Sequence, residues 1–264
     1  MNPPLHSPAG SSQPEIIVCT DVNSLYERAA AIFVEEAAGA IAARGRFMIA
    51  LSGGSTPHGV YRLLASADWR DCLQWERVHV FWGDERFVPH TSPESNYGMA
   101  WSTLLSQVAI PRAGIHAVPT DLPTAEDATI GYEKTIREVF CLPAQEIPQL
   151  DLVLLGLGAD GHTASLFPHS GTLRHEARWV VAGYIEAAKA LRITMTPLLL
   201  NRARAVLFLA TGNEKAEAVR EVLLGEYNPD RLPAQLISPL RGSLRWLLDR
   251  AAAGRLPSGP SGSM

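Results

Sequence analysis

Apolar residues along this chain fall into two alternating kinds of run. Stretches of five or six residues at Glu15–Thr20, Phe47–Leu51, Val78–Trp82, Leu152–Leu157 and Ala205–Ala210 are mostly or wholly apolar. That is the length and patterning of strands buried on both faces. Between them lie longer segments with helical spacing. Leu25, Ala29, Ile32, Phe33 and Ala37 share one side of a helix that Asp21 or Ser24 can cap and that runs to about Arg44. Pro57, just beyond two glycines, stands at a favoured first-turn position and predicts a second helix. Ser95–Leu105, Glu126–Phe140 and Glu214–Leu224 predict three more, with a long polar loop at Gly83–Pro93. Trp179–Tyr184, Leu191–Thr196 and a weak Leu244–Leu248 read as further strands. This alternation predicts an α/β fold of three layers, a mainly parallel central sheet covered by helices on both faces. No composition break or repeat interrupts the interior, so one domain is expected over residues 15–250. The flanks 1–14 and 251–264, rich in Pro, Ser and Gly, are expected to be flexible tails.

The composition agrees with a packed domain: of 264 residues, 47% are hydrophobic and 19% charged, enough apolar material for a sizeable core. A net charge of −4 argues against a dedicated nucleic-acid or acidic-membrane binder while leaving room for a local basic pocket. Cys19, Cys72 and Cys141 are scattered and odd in number, which fits free thiols in a reducing compartment rather than a disulfide framework. Met1–Pro14 has neither the cationic start nor the apolar run of a secretory signal. Uninterrupted apolar stretches reach at most six residues, as at Ala205–Ala210, far short of the ~20 residues a membrane span needs. The expectation is a cytoplasmic protein with no nucleic-acid or membrane partner, a monomer or a small homo-oligomer.

In a doubly wound sheet, ligands sit outside the carboxyl ends of the strands, and three loops there carry unusual chemistry. Ser52-Gly53-Gly54-Ser55-Thr56-Pro57 offers main-chain N–H groups and small hydroxyls at a helix start, a cradle suited to phosphate. It lacks both the lysine of a nucleotide-triphosphate loop and the glycine spacing of a dinucleotide fold. Asp84-Glu85-Arg86 ends the strand Val78–Trp82; taken alone it could be a solvated ion pair, but Asn96 and its neighbours opening the next helix favour a site. Asp160-Gly161-His162 follows the strand Leu152–Leu157 and forms a candidate acid–base pair, since histidine titrates near neutrality and a carboxylate can fix its tautomer. No second histidine or cysteine stands at metal-ligand spacing, and no serine-nucleophile elbow is present, so neither a metal nor a cofactor is expected. Arg192, within Leu191–Thr196, and Lys215, one turn past Thr211-Gly212-Asn213, are surface cations taken singly; with the first loop they compose a phosphate site.

The segments SGGSTP (Ser52–Pro57), WGDER (Trp82–Arg86) with SPESNYGM (Ser92–Met99), and LGLGADGHTASLFP (Leu155–Pro168), in this order and spacing, resemble the glucosamine-6-phosphate isomerase/6-phosphogluconolactonase family over roughly Glu15 to Asp249. The resemblance implies a Rossmann-like fold, a sugar-phosphate lactone as ligand and, on the lactonase side, hydrolysis of 6-phospho-D-glucono-1,5-lactone in the oxidative pentose phosphate pathway. On that reading His162 is the general base, and Asp160 orients the imidazole or meets substrate hydroxyls. Arg86 serves either the oxyanion or the phosphate. Ser52, Gly53, Gly54, Ser55 and Thr56, with Lys215 and Arg192, hold the phosphate, and Asp84 and Asn96 complete the binding set. The deaminase branch instead has Asp-Glu-Tyr at Asp84–Arg86 and a catalytic Glu where this chain has Phe167, and a phenylalanine cannot relay protons. A noncatalytic sugar-phosphate sensor is the remaining alternative, but the chain offers no helix-turn-helix or basic extension to accompany one.

Overall fold

A computed structural model of the chain describes residues 13–143, 146–175 and 177–257; the expected N-terminal tail lies almost entirely outside the described residues. Six strands make a fully parallel sheet: β1 (Glu15–Cys19), β2 (Phe47–Leu51), β3 (Val78–Trp82), β5 (Leu152–Gly156), β8 (Ala205–Ala210) and β9 (Ser243–Asp249), in the order β1-β9-β8-β5-β2-β3. Every residue of β2 and of β8 is buried. Successive strand side chains point to opposite faces, so burial at every position means that both faces are covered. The expected three-layer α/β fold is therefore present. β9, the expected weak strand, lies between β1 and β8 rather than at an edge, which accounts for a run that is buried at Trp246–Asp249 yet modest in sequence.

Three of the covering helices begin at a side-chain cap. α1 (Val22–Arg44) starts at Asp21, whose carboxylate accepts from the N–H of Ser24 at 2.9 Å, and stops at Gly45 in the left-handed region (φ 73°). α2 (Ser55–Leu64) follows β2 directly. α3 (Asn96–Ala100), capped by the Ser95 hydroxyl, widens into a π-turn at Trp101–Leu105. α4 (Ala125–Phe140) is capped by Thr124, α5 is the short Pro197–Leu200, and α6 (Ala216–Leu224) is preceded by a 3-10 turn at Asn213–Lys215.

Three expectations need correction. The runs Trp179–Tyr184 and Leu191–Thr196 do not join the central sheet. They form β6 (Val180–Ile185) and β7 (Ala190–Met195), an antiparallel hairpin closed at Glu186–Lys189. A connection this short can join only antiparallel strands, because a parallel pair needs a crossover of a dozen or more residues. The polar loop Gly83–Pro93 contains a further strand, β4 (Asp84–Arg86), which pairs antiparallel with β7 to complete a small three-stranded sheet β4-β7-β6. At the C-terminus the packed chain continues past residue 250: Ala252 is fully buried, and Ala253 and Leu256 lie against the core. The rest of the expected tail, 258–264, lies outside the described residues. Among those residues no helix is long and apolar enough to cross a membrane, and the three cysteines are free thiols.

Candidate active site

The carboxyl ends of β2, β3, β5 and β8, with the small sheet beside them, enclose a cleft of about 380 Å³. The first wall is built by β2. After the buried strand, Ser52 is pinned by Tyr61, whose hydroxyl accepts from the Ser52 N–H at 3.0 Å and donates to the Ser52 carbonyl at 2.9 Å. Gly53 has no room for a side chain: a Cβ there would sit 1.9 Å from Asn96 Oδ1. Gly54 takes φ 102°, a conformation natural to glycine, and turns the chain into α2. Gly54, Ser55 and Thr56 at this helix start line the cleft, and the first turn of a helix offers unsatisfied main-chain N–H groups and the positive end of the helix dipole. Thr56 ties the wall to the end of β8 through a 2.8 Å hydroxyl contact with Thr211.

The Asp84-Glu85-Arg86 triplet is divided by the alternation of β4. Asp84 and Arg86 line the cleft, whereas Glu85 points the other way and is buried. Glu85 anchors the start of α3, accepting from the N–H groups of Asn96 (2.7 Å), Tyr97 (2.7 Å) and Arg86 (2.8 Å) and from the Ser95 hydroxyl (3.1 Å). Burial pushes its carboxyl above the ordinary range, and these N–H donors pull it back. Asp84 accepts from Ser165 Oγ at 2.6 Å and from Asn96 Nδ2 at 3.3 Å, so loops from β3, β5 and α3 meet at one carboxylate. No ion pair joins it to Arg86 among the described residues. Arg86 donates instead to the Glu94 carbonyl.

Arg86 and Arg192 are directly paired residues of β4 and β7. Both line the cleft, and the buried Nε of each finds no acceptor among the described residues. Burial, and then the adjacent Arg86, push the pKa of Arg192 below its ordinary value, while Asp84, Glu85 and Glu94 pull the other way. Two neighbouring guanidinium groups with unused donors are a receptor for a multiply charged anion. Lys215 lines the same cleft without a carboxylate partner among the described residues, after the turn Thr211-Gly212 (φ 94°), whose Gly212 N–H is held by Asp249.

The last wall is the loop after β5. Gly161 (φ 82°) folds the loop back, and the Gly158 N–H donates to the His162 carbonyl at 2.8 Å. His162 Nδ1 lies 2.6 Å from Asp160 Oδ1, leaving Nε2 as the ring nitrogen without a hydrogen-bond partner among the described residues. Partial burial pushes the Asp160 carboxyl upward, but the hydrogen bond and charge of His162 outweigh it, and the pKa lies below the ordinary value. Phe167 stacks on the imidazole with ring centroids 3.9 Å apart, which fixes the second face of the ring. Asp160 itself does not line the cleft and stands behind His162; every other residue given a catalytic or binding role from the sequence lines it. Thr211, Phe167 and the β5 loop residues Gly156–Gly158 also line it. Of these, Thr211 was findable from its place at a strand end before a glycine turn. Ser165, which reaches Asp84 from another loop, had no sequence signal.

The family model described as glucosamine-6-phosphate isomerases/6-phosphogluconolactonase matches residues 20–246. A 6-phosphogluconolactonase of Synechocystis is 43% identical over 243 residues, covering 92% of this chain and 98% of that one. Its counterpart from Nostoc is 39% identical, with coverages of 90% and 97%. Among solved structures, 6-phosphogluconolactonase from Trypanosoma cruzi superposes with a TM-score of 0.81 at 32% identity, over 93% of this chain and 98% of that one. A monomeric glucosamine-6-phosphate deaminase, 22% identical with a TM-score of 0.75, shares the fold alone. With a match running through both sheets and all the cleft loops, the chain belongs to the glucosamine-6-phosphate isomerase/6-phosphogluconolactonase family.

Proposed function

We propose that the protein hydrolyses 6-phospho-D-glucono-1,5-lactone to 6-phospho-D-gluconate, a step of the oxidative pentose phosphate pathway. One observation carries this reading: a histidine held through Nδ1 by a carboxylate shares a single cleft with a glycine-turned helix start and three cations that have no carboxylate partner among the described residues. The relatives named 6-phosphogluconolactonase support it. The cleft's volume suits one small ligand.

The lactone carbonyl is already electrophilic and water is the nucleophile, so the reaction needs positioned proton transfer and charge stabilisation. His162 Nε2 takes a proton as water attacks, forming the new C–O bond. The tetrahedral intermediate then collapses, the bond to the ring oxygen breaks, and the imidazolium returns the proton to that oxygen. Such transfer contributes about 10²–10⁴ in rate. Asp160 holds the ring in the tautomer that leaves Nε2 free as base and stabilises the imidazolium. Arg86, fixed by the Glu94 carbonyl before the reaction begins, donates to the developing oxyanion; a donor already in place costs no reorganisation. The phosphate rests on the N–H groups and hydroxyls of Ser52–Thr56, with Lys215 and Arg192, and its binding energy aligns the carbonyl. Asp84 and Asn96 meet the sugar hydroxyls. Phe167 against His162 argues against the deaminase chemistry, which requires a proton-carrying side chain there.

The test follows freshly generated lactone by NMR with and without protein, beside a glucosamine-6-phosphate control. Hydrolysis well above the spontaneous rate is expected. Ammonia release from the control, or tight binding without turnover of either compound, overturns the assignment.

A further inference from the structure

At the opposite pole of the sheet, where the strands begin, lies a second and larger cavity of about 730 Å³. Five arginines stand around it: Arg44 and Arg46 before β2, Arg202 and Arg204 before β8, and Arg241 before β9. Among the described residues two carboxylates share the cavity, Glu146 and Asp151, so the pole is strongly cationic in a chain whose net charge is −4. None of these residues belongs to the cleft or to the loop motifs.

The cluster is organised. The Asp151 side chain is only 4% exposed. Its Oδ2 accepts from the Met48 N–H at 2.8 Å, while Oδ1 receives Arg44 through Nη2 at 2.8 Å and Nε at 3.0 Å, and Arg204 through Nε at 3.3 Å. One buried carboxylate thus orients two guanidinium groups and leaves each with unused donors. Arg46 is held by the Val139 carbonyl at 3.2 Å. Arg202 and Arg241 make no ion pair or side-chain hydrogen bond among the described residues, and both are exposed. A planar guanidinium fork matches phosphate geometry, and several forks converging on one cavity favour a ligand with several negative charges over a single ion. Beside them Phe140, Leu142, Ile147 and Leu240 form an apolar wall, and Leu240 is 61% exposed. A cavity of this size with an apolar flank suits a molecule with an organic part attached to its charged end.

We infer that this arginine-lined pole binds a small compound carrying a chain of two or more phosphates, of the size of a nucleoside polyphosphate. The inference is independent of the lactonase reading, because it uses none of the cleft residues. The test is calorimetric titration of the full chain at low ionic strength with ATP and, separately, with inorganic triphosphate. One-to-one binding is expected for both probes, with inorganic orthophosphate at least about tenfold weaker. Two double variants locate the site. Arg202→Ala with Arg241→Ala should weaken binding roughly tenfold or more, as the loss of two charge-assisted contacts implies. It should leave lactone hydrolysis and the melting temperature unchanged. Arg192→Ala with Lys215→Ala, which strips the cleft, should leave triphosphate binding intact. Tighter binding of ATP than of triphosphate supports the apolar wall's share; equal binding supports recognition of the phosphate chain alone. Absence of binding by both probes, or binding lost only when the cleft is stripped, overturns the inference.

Discussion

Replacing Asp160 by Asn tests the histidine assignment most sharply, because it removes one charge while preserving the size of the side chain. A hydrogen bond to a charged group contributes about 1.5–3 kcal/mol and a neutral one about 0.5–1.5, so the charge itself is worth roughly 1–1.5 kcal/mol here. His162 and Asp160 are 29% and 44% exposed, and solvent screening reduces that figure to about 0.5–1 kcal/mol. At 1.36 kcal/mol per tenfold, kcat should fall about two- to fivefold, well short of the roughly 10²–10⁴-fold expected for His162→Ala. The pH profile supplies an independent readout. In the folded protein the Asp160 carboxyl titrates below its ordinary value, so the charge it contributes is present above that range and is lost only as pH falls through the lowered folded pKa. Near neutrality the carboxylate is therefore charged and favours the imidazolium. Its removal makes protonation of His162 harder, and the acid limb of kcat/KM should move to lower pH. The assay is initial-rate hydrolysis of fresh lactone, corrected for the spontaneous reaction, between pH 5 and 8, roughly the range of histidine titration. An Asp160→Asn enzyme with unchanged kcat and an unmoved acid limb would refute the pairing. A loss as large as that of His162→Ala, without a shift, would place Asp160 on the substrate instead.

Three further outcomes follow from the same geometry. Gly158→Ala would put a Cβ 2.0 Å from His162 Nδ1 and 2.5 Å from Asp160 Oδ1, so kcat should drop roughly tenfold or more while the thermal melt stays close to wild type; full activity contradicts the packing argument. Lys215→Ala should raise KM about tenfold, the cost of one charge-assisted contact to phosphate, with kcat within about threefold; an unchanged KM removes Lys215 from the phosphate site. Glu85→Gln turns an amide NH₂ toward donors that the carboxylate accepts at the start of α3 and should destabilise the fold by about 2 kcal/mol in urea unfolding; a neutral result would mean that α3 does not depend on this anchor.

Most of the architecture was legible because β2, β5 and β8 are apolar on both faces, and a parallel sheet under two layers asks for that. The hairpin β6-β7 was misplaced for a definable reason. Its strands read as strands, but membership of a sheet depends on connection length, and the few residues at Glu186–Lys189 permit only an antiparallel return. The small sheet was hidden further by β4, whose three residues are all charged. Charged residues normally signal a loop, and only pairing with β7 makes these a strand.

The candidate site divides along the same boundary. Sequence alone determined which residue types stand at the strand ends, since a glycine turn, an Asp-Gly-His and isolated cations advertise their chemistry locally. It could not show how Asp84-Glu85-Arg86 splits, with Glu85 serving the start of α3 while Asp84 and Arg86 enter the cleft, because that follows from the pleat of a strand formed by long-range pairing. Nor could it bring Arg86 beside Arg192, or Ser165 to Asp84. Those partners are 106 and 81 residues apart. The arginine pole has the same origin: five ordinary-looking cations before three separate strands. Local chemistry is carried by the order of residues along the chain, whereas electrostatics depends on distance in space, which only the packed sheets establish.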